Sequence, residues 1–290
     1  MRCVDRTGQT VTGGEGQERM LSFLYQTRLG RCFLKVLVRP CVSRVAGRFL
    51  DTRASKCLID PFVRKSGIDL TQYQGQPYSS YNAFFTRRIY PQLRPIEQNR
   101  ECLISPCDSR LSVYPITELA EFTIKNTSYT MERLVRSKKL ARQYEGGWLL
   151  VFRLAVEDYH RYCYVDEGIK SKNYHIPGVF HTVNPLANDV YPIYKENTRE
   201  FSILKSRNFG RILMMEVGAL LVGRIVNHHQ EKEVQRGEEK GYFAFGGSTV
   251  ILCLQKGQAV IDTDILQNSE AGVETKVKMG EKIGRKADKI

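Results

Sequence analysis

Apolar positions change their spacing about a third of the way along the chain. From Leu21 to Phe62 they recur at three- and four-residue steps, with Leu34, Leu37, Val38, Val42 and Val45 on one face and Arg31, Lys35 and Arg39 on another. That period is helical. Pro40 should interrupt the run, because its ring crowds the preceding turn and it has no N–H to donate. Beyond about residue 100 the apolar positions gather into short β-branched and aromatic runs, Trp148–Leu154, Arg211–Met215 and Thr249–Leu254, punctuated by glycines at 168, 178, 210, 218, 223, 237, 241 and 257. Such runs predict strands joined by turns, with a helix between Met131 and Tyr144. Residues 1–18, rich in Gly, Thr and Gln, read as a loosely ordered leader. The pattern predicts an α+β fold: leader, helical region over 19–98, and a predominantly β body with a mixed sheet over 99–290.

Composition narrows the class. A chain of 290 residues with 42% apolar and 26% charged residues suits an ordered globular body, not a disordered polyelectrolyte or a disulfide-stapled miniature. Its net charge of +13 draws it toward anions. Between Arg28 and Lys56, eight basic residues face one acid, Asp51. A cationic amphipathic helix can lie on an anionic membrane surface, gaining ~1 kcal/mol per Lys or Arg near it. The same pattern also fits a solvated helix face packed on the body. Nucleic acid attracts such cations too, but no zinc-finger, RRM or basic-zipper pattern accompanies them, so no nucleic-acid partner is expected. The eight cysteines include no Cys-x-x-Cys pair, which signals neither zinc nor a disulfide framework and places the chain in a reducing cytoplasm. No apolar run reaches the ~20 residues of a spanning helix, so membrane contact is expected to be peripheral.

The candidate chemistry centres on Gly246-Gly247-Ser248-Thr249, held between two β-type runs. Gly-Gly alone fits a hairpin turn or bulge. A serine directly after a flexible glycine can also press its hydroxyl against the preceding carbonyl. With this turn go Tyr81-Asn-Ala-Phe-Phe-Thr-Arg-Arg88, Arg94-Pro-Ile96, Ser105-Pro-Cys-Asp108, Asp158-Tyr-His-Arg161, Thr182-Val-Asn-Pro185, Glu216-Val-Gly-Ala219 and Val222-Gly223. In this order the segments resemble the phosphatidylserine decarboxylases over residues 80 to 255, while the first 70 residues carry no such motif.

The resemblance implies an enzyme whose precursor cuts itself at Gly247–Ser248. The serine hydroxyl attacks the preceding carbonyl to give an ester, β-elimination frees the upstream chain, and hydrolysis leaves a covalent pyruvoyl group derived from Ser248. The products are a β chain of 1–247 and an α chain of 248–290, 43 residues long, which stay together as a heterodimer; a dimer of these is compatible with the pattern. The pyruvoyl ketone would form a Schiff base with the amine of phosphatidylserine and draw electrons as carbon dioxide leaves, yielding phosphatidylethanolamine. No metal is implied. The enzyme would be a peripheral protein on the cytoplasmic face of the cell membrane.

The resemblance also assigns roles. Asp108 matches the aspartate that orients the base; read alone, it is a turn residue, and Ser109 stands where the family usually has glycine. His160 matches the histidine of the decarboxylation step. Cys163 occupies the place of the family's base histidine, and a thiol of ordinary pKa ~8.5 is a poor substitute for imidazole. We therefore expect another imidazole to take the proton, His181 first, then His228 or His229. The alternative reading is an uncleaved, degenerate homologue acting as a lipid-binding module, with the same chemistry on another amino-lipid as a milder variant. Arg87 and Arg88 fit either a lipid phosphate or a helix cap.

Overall fold

Ten strands form one sheet at the centre of the molecule, a computed structural model that describes residues 2–11, 23–124, 127–182, 193–219, 224–244 and 248–288. In chain order they are β1 (Cys3–Val4), β2 (Ser109–Pro115), β3 (Trp148–Leu154), β4 (Gly168–Lys170), β5 (Tyr174–Ile176), β6 (Arg199–Ser206), β7 (Arg211–Val217), β8 (Lys232–Val234), β9 (Ser248–Leu254) and β10 (Glu274–Val277). Across the sheet the order is β1-β10-β2-β3-β9-β7-β6-β4-β8, with β5 also paired to β6. The β1–β10 pair is parallel and the other pairs are antiparallel. The fold is α+β, as the spacing predicts.

β9 lies in the middle of this sheet and all seven of its residues are buried. The apolar run needs cover on both faces, and each fully buried Val, Ile or Leu contributes ~1.5–3 kcal/mol. Ser248, the first residue of β9, pairs with Leu154 of β3, and Thr249 pairs with Arg153 on one side and Val217 on the other. A three-stranded sheet, Arg161–Cys163 with Glu239–Ala244 and Arg224–Asn227, carries the Asp158–Arg161 motif beside β9.

The helical region splits where proline requires it. Helix α1 (Arg28–Leu37) ends before Pro40, which opens α2 (Pro40–Leu50) at a position where a missing N–H costs nothing. Helices α3 (Ile59–Ser66) and α4 (Tyr81–Phe85) follow. Leu50, Ile59, Tyr78, Tyr81, Phe84 and Phe85 make a small core of their own. Leu34 of α1 and Val38, its C-cap, are buried in the main core, but Leu29, Phe33 and Val36, at i, i+4 and i+7, are more than half exposed. The outward apolar stripe is therefore not the Leu34–Val38 face that periodicity picks out.

Two further expectations are corrected. The leader begins as structure: β1 pairs with β10, and Arg6 forms ion pairs with Asp262 and Asp264. Residues 12–18 of it lie outside the described residues. The helix expected over Met131–Tyr144 is broken into Met131–Val135, Lys138–Ala141 and a 3-10 turn at Arg142–Tyr144. Arg136 turns left-handed at φ 52°, and the Ser137 hydroxyl starts a new helix by accepting from the Leu140 amide.

Candidate active site

Ser248 and His160 meet at the start of β9. His160 Nδ1 lies 3.1 Å from Ser248 Oγ, and both residues are fully buried. The other ring nitrogen, Nε2, lies 2.9 Å from the Ala155 carbonyl. A carbonyl oxygen only accepts, so Nε2 carries the hydrogen and Nδ1 presents its lone pair to the serine hydroxyl. The turn that holds this carbonyl is tied by the Asp158 carboxylate, whose Oδ2 accepts from the Ala155 amide at 2.7 Å. Asp158 stands 3.9 Å from Arg110 and 3.8 Å from Lys276.

Burial and then the Arg87 guanidinium push the His160 pKa down to about 3, which keeps the ring neutral at ordinary pH. Arg87 is itself buried; it donates to the carbonyls of Phe84, Glu157 and Asp158 and lies over the rings of Tyr73 and Phe84. It thus fastens α4 to the Asp158 turn, while Arg88 stays exposed beside Glu239. Phe85 of α4 packs on His160 with ring centroids 4.2 Å apart. Burial pushes the Asp158 pKa up to about 6, against the pull of Lys276 and Arg110.

The other candidate residues stand elsewhere. Asp108 accepts from Arg94 Nε at 2.8 Å and from the Met279 amide at 2.9 Å, and among the described residues no hydrogen bond joins it to a histidine. Cys163 is buried with Sγ 4.0 Å from the Ser105 carbonyl, and burial pushes its thiol up to about 12, so it is protonated and cannot accept a proton. His181 has Nδ1 3.4 Å from the Tyr25 hydroxyl and Nε2 3.7 Å from Glu196. His228 and His229 face Glu239 and Glu238. The imidazole in contact with Ser248 is thus His160, and neither His181 nor Cys163. Gly247, Val183–Pro185 and Val222–Gly223 lie outside the described residues.

Sequence reasoning missed the Ala155 carbonyl, because a main-chain acceptor has no side-chain signature. It also left Arg87 undecided, although an arginine after paired phenylalanines in a five-residue helix is placed to staple that helix by its aliphatic stem and guanidinium.

Beside the site, Thr249 Oγ1 is buried without a hydrogen-bond partner among the described residues. A pyruvoyl group keeps the three-carbon skeleton of serine, so the space that holds Ser248 accommodates it, with His160 Nδ1 standing 3.1 Å from the serine oxygen. The donor set fits such a group. Among the described residues no cluster of His, Cys, Asp or Glu could hold a metal ion, and no helix is long and apolar enough to cross a membrane.

Comparison with known proteins agrees with these segments. A profile of the family described as phosphatidylserine decarboxylase matches residues 81–285. The chain is 45% identical to phosphatidylserine decarboxylase proenzyme 2 of Clostridium acetobutylicum, with 92% of each chain covered. It is 40% identical to the phosphatidylserine decarboxylase proenzyme of Clostridium perfringens, over 92% of this chain and 93% of that one. To that of Clostridium tetani it is 41% identical, over 93% and 92%. Coverage this long takes the likeness back into the helices before Tyr81, where no motif is visible.

Proposed function

The chain belongs to the phosphatidylserine decarboxylase family, and from that premise we propose that it is a self-cleaving precursor of an enzyme converting phosphatidylserine to phosphatidylethanolamine and carbon dioxide. The observation that carries the reading is the 3.1 Å contact between His160 Nδ1 and Ser248 Oγ, both fully buried.

In the cleavage step the Ser248 hydroxyl gives its proton to His160 Nδ1 as Oγ bonds to the Gly247 carbonyl carbon. The bond from that carbon to the Ser248 nitrogen breaks, and the nitrogen takes the proton. Removal of the Ser248 α-proton then expels the Gly247 carboxylate. Water replaces the amine of the resulting dehydroalanine, ammonia leaves, and a pyruvoyl terminus remains on residues 248–290. When formed, that group supplies a ketone able to take up the substrate amine and to hold the electron pair freed by decarboxylation.

His160 holds a proton at Nδ1 after cleavage has begun and is the group placed to move one at the same position afterwards. Arg87, Phe85 and the Ala155–Asp158 turn keep its ring oriented and dry. Asp108 acts at one remove, its pair with Arg94 anchoring the residues before β2 to the loop at Met279.

The membrane encounter is assigned to the helices. Leu29, Phe33 and Val36 of α1 and Val45 and Phe49 of α2 are exposed apolar side chains on helices that also carry Arg28, Arg31 and Lys35, with Arg39 between them. A face of this kind inserts shallowly into an anionic leaflet and stays peripheral, on the cytoplasmic side.

Intact mass spectrometry tests the reading. The expected result is a pair of polypeptides, residues 1–247 and 248–290, the shorter bearing a keto-acyl terminus that borohydride and amine can trap, with carbon dioxide released from phosphatidylserine. One unbroken chain with an ordinary serine at 248 overturns it.

A further inference from the structure

A cavity of about 450 Å³ opens between α2, α4 and the Arg224–Asn227 and Glu239–Ala244 strands. Its cations are Arg44 and Arg48, one helical turn apart on α2, and Arg224. None of the three guanidinium groups has a hydrogen bond or ion pair among the described residues, although Asp51 lies in the same wall. Three uncommitted arginines around one concave space form a receptor for an oxyanion.

Ser43 and Asn82 belong to the same wall, and the Ser43 hydroxyl and Asn82 Oδ1, both buried behind its surface, have no hydrogen-bond partner among the described residues. Ser43 is fully buried and Asn82 is 9% exposed, and the amide nitrogen of Asn82 is already spent on Asp51 at 2.7 Å. The cavity therefore offers cations for phosphate and carboxylate oxygens.

Its position ties it to the reaction. Ala244, in the wall, precedes Ser248 by four residues. Ala83 and Thr86, also in the wall, flank Phe85, the ring that packs on His160. On the other side of α2, Val45 and Phe49 are exposed and apolar. One helix thus presents cations to the cavity and hydrophobic side chains outward, an order that matches a lipid with its headgroup inside and its acyl chains beyond.

We propose that this cavity is the specificity site for the phosphoserine headgroup of the substrate lipid, with Arg44, Arg48 and Arg224 holding the phosphodiester and carboxylate while the amine is left free for the ketone. The inference rests on the decarboxylase reading, and its test is arranged so that the two can fail separately.

The uncut Ser248→Ala precursor is titrated calorimetrically with glycerophosphoserine, glycerophosphocholine and inorganic phosphate, so that binding is read without cleavage or bilayer. Glycerophosphoserine should bind at least about tenfold tighter than either of the others, and Arg44→Ala with Arg48→Ala should weaken it about tenfold or more. Gly47→Leu should abolish binding, because a Cβ at Gly47 meets nothing within 4 Å and the longer side chain enters the cavity. In processed enzyme the double arginine variant should raise KM for soluble dihexanoyl phosphatidylserine about tenfold with kcat little changed. Unaltered binding in the arginine variant, or phosphate binding as tightly as glycerophosphoserine, overturns the site. Failure of the wild-type chain to cleave counts against the decarboxylase reading and leaves the titration to decide the cavity.

Discussion

The Ala155 carbonyl oxygen, 2.9 Å from His160 Nε2, fixes which imidazole nitrogen carries hydrogen and so aims the other at Ser248. A main-chain acceptor thereby does what a carboxylate does in a serine–histidine–aspartate arrangement. The difference is electrostatic: a neutral acceptor adds no charge to hold an imidazolium, and the buried ring stays neutral.

The first prediction follows from that contact. His160→Ala should slow splitting of the precursor by about 10²-fold or more, the usual contribution of a positioned base, whereas Cys163→Ser should split at close to the parent rate. A denaturing gel sampled after synthesis reads both. Normal splitting of the histidine variant, with arrest of the cysteine variant, would reverse the assignment.

The depressed His160 pKa fixes a pH profile. With the ring neutral down to about 3, cleavage should be level between about pH 5 and 9, without the inflection near 6.5 of an ordinary imidazole. The folded state also refuses the proton that the unfolded ring takes up, so His160 contributes its full stability above about pH 6.5 and loses it as pH falls toward 3.

Asp158 carries the opposite sign. Its pKa is raised to about 6, so the folded state keeps a proton that an unfolded carboxyl, near 3.9, releases. Stability from this residue falls as pH rises from about 4 to 6. Asp158→Asn, which keeps an acceptor for the Ala155 amide, should be more stable than its parent at pH 8 and show no gain at pH 4.5 in urea unfolding. Asp158→Ala removes the acceptor and should slow cleavage about tenfold, rescued in Asn. Equal cleavage by both variants would remove Asp158 from the positioning of His160.

Glu216 of β7 and Lys240 of the Glu239–Ala244 strand form a fully buried ion pair at 2.8 Å, shared with Asn227, that ties the three-stranded sheet to the central one. Glu216→Ala should cost about 3–5 kcal/mol by stranding the ammonium, and Glu216→Leu with Lys240→Leu considerably less. Denaturant unfolding measures both; a double variant as unstable as the single would show that the pair contributes more than its own desolvation cost.

On the membrane side, Phe33→Ser with Val36→Ser should weaken co-sedimentation with phosphatidylserine-containing vesicles at least about tenfold, since each side chain is worth ~1.5–3 kcal/mol when buried. Unchanged sedimentation would move the docking face off α1.

Much of the fold is legible in the chain because apolar period and turn residues act locally. Trp148–Leu154 reads as a strand and is one, and Pro40 divides the helices where its missing N–H dictates. The site is legible in part. Ser248 and His160 stand out by type, but their partnership is set by a carbonyl, a turn and an aromatic ring brought together by long-range packing. His181 illustrates the limit: five histidines in the sequence offer several bases, and only tertiary contact shows which imidazole meets the serine. The arginine cavity was hidden for a similar reason, since Arg44 and Arg48 look like any solvated helix face until Arg224 arrives from 180 residues away.

β9 is laced between β3 and β7, and β10 between β1 and β2, so the strands on both sides of these two belong to residues 1–247. Severing the backbone at residue 247, as the proposed processing requires, would leave the 43 residues 248–290 woven in place but turn refolding into a second-order reaction between two molecules. A matured sample diluted and heated should scan irreversibly where its uncut Ser248→Ala counterpart recovers, and longevity in the cell then depends on how slowly the sheet first opens, because the separated fragments have little prospect of finding each other again.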